Sequence, residues 1–249
     1  MTWNVWGRFG DRWLRRQRAI AETVRAQRPD FVALQETWHT WRQSQTELLG
    51  FELGMSPVFA PSRMPRDPDP DVRLGLGILS RFPLREVQQH RLSADTIALR
   101  AEIRLGEKSL HFVTSCLDWE EDHEAERRAQ AGCLADLVRE LRSNGDEVVV
   151  AGDFNTPPDR SELEPLLAVL DDCWQPRSAG RRHLDDGATY SSRNPYLGGR
   201  GEWLEDHRID YILVNGGRPA QRSRLVGFDE DRGRPPSDHY AVVSDVRVS

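Results

Sequence analysis

Residues 147–155, EVVVAGDFN, carry the decisive local pattern of this chain. The valine-rich run 147–151 predicts a strand, and Gly-Asp-Phe-Asn closes it with polar side chains at the strand's end. Similar runs predict strands at 2–6, 31–34, 51–60, 74–80, 96–104, 110–114, 209–214, 224–228 and 240–248. Helical spacing appears at 12–27, at 41–49 and at 120–142, where Ala125, Ala129, Cys133, Leu137 and Leu141 recur every four residues. A short helix is expected at 161–170, opened by Ser161 as a capping residue. Prolines and charges make 61–73 a mobile loop, and the polar, arginine-rich stretch 175–208 reads as a long surface excursion. Strands run from the first residues to the last with helices between them, and no repeat or linker intervenes. The pattern suits two sheets covered by helices in one domain, 1–249.

Composition narrows the class. The 249 residues are 38% hydrophobic and 30% charged, enough apolar material for a sizeable core. No run approaches the ~18 apolar residues of a membrane span, and no signal peptide opens the chain. Membrane protein, collagen and coiled coil are excluded. Three widely spaced cysteines without a CxxC motif indicate neither a disulfide framework nor a thiolate zinc site, so a cytoplasmic setting is expected. The chain starts abruptly in a strand, which leaves room for lost upstream residues. A net charge of -6 argues against broad nonspecific DNA coating. Lys108 is the only lysine, so 33 of the 34 basic residues are arginine. Codon bias of a GC-rich genome accounts for that, although arginine's planar fork also suits phosphate recognition.

Several predicted strands end in the same kind of residue: Asn4, Glu36, Asp153 with Asn155, Asp210, and Asp238 with His239. Each has a bland explanation as a turn former or a helix cap. Together they form an oxygen-ligand set for a hard cation.

The segments TWNVWG (2–7), LQET (34–37), GLGILSRFP (75–83), GDFN (152–155), RIDYILV (208–214) and SDH (237–239) resemble, in order and spacing, the endonuclease/exonuclease/phosphatase superfamily. The resemblance implies a DNase I-like α/β (α+β) fold: a four-layered sandwich of two mixed, mostly antiparallel sheets with helices outside. It further implies a Mg²⁺- or Mn²⁺-dependent hydrolysis of a phosphodiester or phosphomonoester by in-line water attack. Glu36 takes the part of the primary metal ligand, with Asn4 beside it and Asp238 as a further metal-proximal carboxylate. Asp153 orients and deprotonates the water, and Asn155 donates to the nucleophile or phosphate. His239 contacts a nonbridging oxygen, fixed by Asp210. The implied partner is a phosphorylated substrate: nucleic acid, nucleotide or small metabolite. A monomer is expected, and the sequence gives no protein partner.

One position departs from the family pattern. FVTSCLDW (112–119) places Cys116 where many members carry a phosphate-binding histidine. A neutral thiol is a weak donor, and losing one oxyanion donor costs about 100- to 1000-fold in rate. The site is then weakened, or His111 or His123 substitutes, or the substrate does not need this donor; a pseudoenzyme that binds a phosphorylated ligand is the alternative function. Asp118 and Trp119 match the pattern and are expected at the site's edge. Trp6, Trp38, His39 and Trp41 are candidate cleft walls. TYSSRNPY (189–196) resembles a motif of a bacterial branch of the family, with Arg193 and Asn194 as candidate substrate contacts. Arg177, Arg181, Arg182, Arg200 and Arg208 join Arg193 in a possible basic patch.

Overall fold

The structure is a computed structural model that describes residues 1–10, 12–62, 67, 69–174, 187–198, 201–215, 222–228 and 234–247. In chain order the strands are Thr2–Asn4 (β1), Phe31–His39 (β2), Ser56–Pro61 (β3), Arg73–Ser80 (β4), Arg85–Arg91 (β5) and Ile97–Leu105 (β6). They continue with Lys108–Cys116 (β7), Glu147–Asp153 (β8), Asp171–Asp172 (β9), Asp210–Val214 (β10), Arg222–Val226 (β11) and Ala241–Asp245 (β12). The helices are Trp13–Gln27 (α1), Gln45–Leu53 (α2), Glu124–Ser143 (α3) and Glu164–Leu167 (α4).

Two six-stranded sheets result, ordered β11-β12-β1-β2-β4-β3 and β5-β6-β7-β8-β10-β9. Only β1–β2 and β7–β8 pair in parallel; the other pairs are antiparallel. The expected four-layered sandwich is therefore found. The valine strand shows why the layers form. Val149 and Ala151 point into the core between the sheets with Leu76, Ile78 and Phe112. Val148 and Val150 point outward, under Leu134, Val138 and Leu166 of α3 and α4. A strand covered on both faces needs apolar residues at successive positions, which the sequence supplies. On the other sheet, α1 packs Ile20, Ala21 and Val24 onto Trp3, Val32 and Leu34.

Several boundaries differ from expectation. The second helix starts at Gln45, four residues late, and Trp41 lies exposed before it. The exposed polar edge strand β5 was absent from the expected set, because it shows no apolar alternation. α3 buries Arg127, Ala131, Leu134, Val138 and Leu141, while Ala125, Ala129 and Cys133 face outward. A strict four-residue step drifts around a helix of 3.6 residues per turn. Ser161 begins a short 3₁₀ turn and makes no side-chain cap. Of the loop 61–73, residues 63–66 and 68 lie outside the described residues. Among the described residues, no helix is long and apolar enough to cross a membrane.

Gly152 lies where β8 runs beside β7, and a Cβ there would stand 2.0 Å from the carbonyl oxygen of Ser115. Backbone cannot step aside as a side chain can. Gly152→Ala is expected to destabilise the chain by about 3 kcal/mol, lowering Tm by roughly 6–12 °C for a domain of this size. A thermal melt indistinguishable from the parent would refute the tight pairing.

Candidate active site

The carboxyl ends of β1, β7 and β8, the amino end of β10, the irregular middle of β2 and the residues just before β12 converge at one end of the sandwich. Parallel pairing puts Asn4 level with Gln35 on β2, and the other sheet aligns Cys116 with Asp153 and Asp153 with Asp210. Beneath them a buried chain crosses the interlayer: Thr2 Oγ1 donates to Gln35 Oε1, and Gln35 Nε2 donates to Thr114 Oγ1.

Asn4 is the central link. Its amide nitrogen donates to Glu36 Oε1 at 2.9 Å and to Asp153 Oδ2 at 3.0 Å, joining carboxylates of opposite sheets. Its amide oxygen accepts from the Trp6 backbone N–H at 3.0 Å. That oxygen bond leaves the NH₂ with no orientation but toward the acids. Glu36 reaches the cleft because β2 carries an irregularity between Leu34 and Thr37, where Glu36 adopts φ 56°. Trp6 and Asn155 also have positive φ, at 54° and 47°. Left-handed geometry at non-glycine residues is costly and tends to concentrate at functional sites. All three line the same cleft.

His239 Nδ1 lies 3.0 Å from Asp210 Oδ2, leaving Nε2 to face Asp153 Oδ2 at 3.9 Å. The imidazole is held on its other sides by Tyr190, whose ring packs against it, and by Trp3, whose indole N–H donates to the His239 carbonyl. Asn155 donates from its amide to the Leu117 carbonyl, and its backbone N–H donates to Asp153 Oδ1.

Burial raises the pKa of Glu36 to about 8, the Asp238 carboxylate adding to the effect and Asn4 opposing it. Burial likewise raises Asp153 to about 7, aided by Asp210 and opposed by His239 and Asn4. Asp238 is pushed up by burial as well. For His239, burial disfavours the charged ring, yet Asp210, Asp153 and Asp238 outweigh it and hold the pKa well above the usual value. The cleft thus concentrates carboxylates with little positive charge to offset them. A hard divalent cation fits carboxylate donors of this kind, with Glu36 and Asp238 as the oxygen ligands. Asp153, Asp210 and His239 also bring potential ligand atoms within 4.8 Å of one another. There the bond from His239 Nδ1 to Asp210 Oδ2 fixes the ring and turns Nε2 toward Asp153, an arrangement suited to orienting the imidazole.

The cleft measures about 580 Å³. Trp6, Phe9, Trp119, Tyr190 and Trp203 form its aromatic walls, and among the described residues no arginine or lysine lines it. Of the expected cleft walls only Trp6 belongs here, joined by Trp119, which was expected at the site's edge. Trp38 is buried against Trp13, His39 stacks on Phe59, and Trp41 is exposed. Tyr190, Trp203 and Phe9 escaped notice because a lone aromatic in a polar stretch carries no periodic signal.

Other expectations need correction. Asn194 is fully buried and donates to the carbonyls of Ser237 and Asp238, so it braces the site rather than touching substrate. Arg193 is exposed and outside the cleft lining. Arg208 is buried in an ion pair with Asp172 at 2.7 Å and lies over Tyr211. Arg177, Arg181, Arg182 and Arg200 lie outside the described residues. The stretch 187–198 is no surface excursion: Thr189, Ser191, Asn194 and Leu197 are buried. Asp118 accepts from the Glu120 backbone and pairs with His123 at 3.0 Å, locally engaged and outside the cleft lining. His111 is held between Arg100 and Asp146, so neither histidine fills the place beside Cys116. Burial and the carboxylates of Asp153 and Glu36 push the Cys116 thiol well above its ordinary range, which makes it a neutral donor and no nucleophile.

A model of the Endonuclease/Exonuclease/phosphatase family matches residues 1–239. No curated protein sequence matches the chain significantly. Among solved structures, truncated Caenorhabditis elegans TDP2 is similar at 20% identity, with a TM-score of 0.76 over 99% of this chain and 96% of that one. The human Nocturnin catalytic domain with bound sulfate is 21% identical, with a TM-score of 0.76 over 99% and 93%. The mannosyl-6-phosphatase of Bacteroides thetaiotaomicron VPI-5482 is 18% identical, with a TM-score of 0.74 over 99% and 98%. At these identities the likeness shows the fold.

Buried carboxylates with raised pKa values bind more protons in the folded than in the unfolded chain. Their contribution to stability is full below the unfolded values of about 4 and is lost as pH rises toward about 8. In EDTA, Tm is expected to fall from pH 5 to 8, and Glu36→Gln should flatten that slope. Mn²⁺ at a hundred times its Kd should restore about 2.7 kcal/mol. A Tm independent of pH and metal would overturn the assignment of the acidic cluster.

Proposed function

The chain belongs to the endonuclease/exonuclease/phosphatase family, and from that premise we propose that it is a divalent-metal-dependent phosphoesterase using in-line attack of water. The observation that carries the proposal is the Asn4 bridge between Glu36 and Asp153, with the His239–Asp210 pair facing the same point. Residues 1–249 act as one domain and as a monomer in this proposal, since the site draws side chains from Asn4 to His239.

Glu36 and Asp238 would hold a Mg²⁺ or Mn²⁺ ion with Asn4 adjacent, and the bound ion would supply Lewis-acid chemistry and positive charge for the phosphoryl group. Asp153 receives the proton of the attacking water. Its two oxygens are fixed by Asn4 and by the Asn155 backbone, so the carboxylate is oriented before substrate arrives. His239 presents Nε2–H to a nonbridging oxygen, where its charge stabilises the transition state. Asp210 fixes the tautomer from the opposite side, as an orienting carboxylate does in a catalytic dyad. Asn155, whose amide donates to the Leu117 carbonyl in the structure, is the group that donates to the nucleophile or phosphate in this mechanism.

Cys116 supports the second reading, a weakened enzyme or a phosphate-ester binding protein. Its Sγ is 3.9 Å from both Asp153 Oδ2 and Asn155 Nδ2, so the altered position touches the proposed base directly.

Turnover of bis-p-nitrophenyl phosphate, oligonucleotides, nucleotides, inositol phosphates and sphingomyelin should be measured with Mg²⁺ or Mn²⁺. Asp153→Ala is expected to lose about 10²- to 10⁴-fold in kcat, and His239→Ala about 10²- to 10³-fold. Unchanged turnover in Asp153→Ala would sink the mechanism. A large gain in Cys116→His would identify a weakened enzyme; tight ligand binding without turnover in either form would identify the binding protein.

A further inference from the structure

Glu36 is carried into the cleft by a stretch of backbone that its own preferences do not favour. Strand β2 pairs irregularly with β4 between Leu34 and Thr37, and Glu36 sits there at φ 56°. A non-glycine residue stays in the left-handed region only where its surroundings fix it from several sides. Gln35, the residue immediately before it, is fixed in that way. It is fully buried, and its backbone carbonyl accepts from the Val5 N–H at 3.0 Å. Its side-chain Oε1 accepts from Thr2 Oγ1 at 3.3 Å, and its Nε2 donates to Thr114 Oγ1 at 2.9 Å. One residue is thus tied to β1 and β7, in opposite sheets.

Residues two apart on a strand share a face, and that places this row in the sandwich. Ala33, two before Gln35, belongs to the interlayer core with Phe112 and Ala151. Thr2 stands two residues before Asn4, and Thr114 two before Cys116. Thr2, Gln35 and Thr114 therefore form one polar row between the apolar interlayer core and the acidic cleft, and all three are fully buried. A buried amide costs free energy unless it is paired, and a hydrocarbon side chain of the same length would fill the space without that demand. The amide does what a hydrocarbon does not: its directional bonds fix the spacing of β2 from β7. That spacing matters one layer above, where Asn4 must reach Glu36 at 2.9 Å and Asp153 at 3.0 Å together.

We propose that Gln35 is a positioning residue for the metal site. Pinned to both sheets, it holds Glu36 in its left-handed conformation and sets the gap across which Glu36 and Asp153 face each other. Gln35 touches neither ion nor substrate in this role; it acts through the backbone it shares with Glu36 and through the spacing of the sheets. The role rests on the reading of Glu36 as a metal ligand, and metal binding measures it without turnover. Groups that orient a metal ligand from behind change affinity by about 10- to 100-fold when they are removed.

The test is Mn²⁺ binding to the full chain, followed by loss of the free-ion EPR signal with no substrate present. Gln35→Met keeps the length of the side chain and removes both of its hydrogen bonds. It is expected to raise the Mn²⁺ Kd by about tenfold or more. Thr114→Val, which cuts one of the two bonds, should raise it by a smaller factor, and Thr114→Ser, which keeps the hydroxyl, should bind as the parent does. Ser223→Ala removes a hydroxyl bonded to the Cys173 carbonyl, outside the cleft lining, and should leave the Kd unchanged. A Gln35→Met chain that melts lower yet binds Mn²⁺ with parent affinity overturns the proposal. So does a rise in Kd in Ser223→Ala equal to that in Gln35→Met, which marks general loosening. If Gln35→Met fails to fold, Thr114→Val decides, and parent affinity there overturns the role. A parent that binds no Mn²⁺ overturns the metal reading and this role with it. Binding that Glu36→Gln abolishes and Gln35→Met leaves intact overturns the role of Gln35 alone.

Discussion

Buried carboxylates from two sheets are packed together at one cleft, and their mutual repulsion is the constraint around which the rest of the structure is arranged. Glu36 and Asp153 come from different sheets, so the sandwich must hold them together against that repulsion. The Asn4 amide spans them with two N–H donors. A charged bridge from lysine would offset the acids and compete with a cation, whereas a neutral amide satisfies them and leaves the charge for an ion. His239 adds a positive ring on the Asp153 side, braced by the fully buried Asp210.

Stability and chemistry conflict at this point. Burial that raises the pKa of Glu36 and Asp153 also makes the metal-free cleft progressively less stable as pH rises through neutrality. Apolar packing elsewhere offsets the cost. Buried arginines stiffen the margins of the site. Arg127 donates to the carbonyls of Glu120 and Glu121 and lies under Trp203, tying two cleft walls together. Arg16 does the same for the loop that follows Asn4.

The catalytic candidates were legible because each stands at the end of an apolar run. Asn4, Glu36, Asp153, Asn155, Asp210, Asp238 and His239 all meet at one end of the sandwich. Substrate contacts were not legible in the same way. Asn194 turned out to be a brace, and Arg193 faces outward, since a loop motif does not say which of its side chains point in. One hollow is lined by residues of α1 and by residues 234–236, more than two hundred positions away in sequence. No local pattern announces such a pairing.

The sequence by itself determined the strands that carry the core, the helices over them and the types of residue at the strand ends. Those depend on periodicity and on side-chain chemistry, which are local. Only the tertiary structure decided that Glu36 reaches the cleft through a left-handed residue in an irregular strand, and that one asparagine joins two sheets. It also decided that Cys116 lies beside the proposed base without a histidine to replace it. Register, irregularity and burial arise from contacts between distant segments, and the free energy of a buried charge depends on every neighbour the fold brings to it.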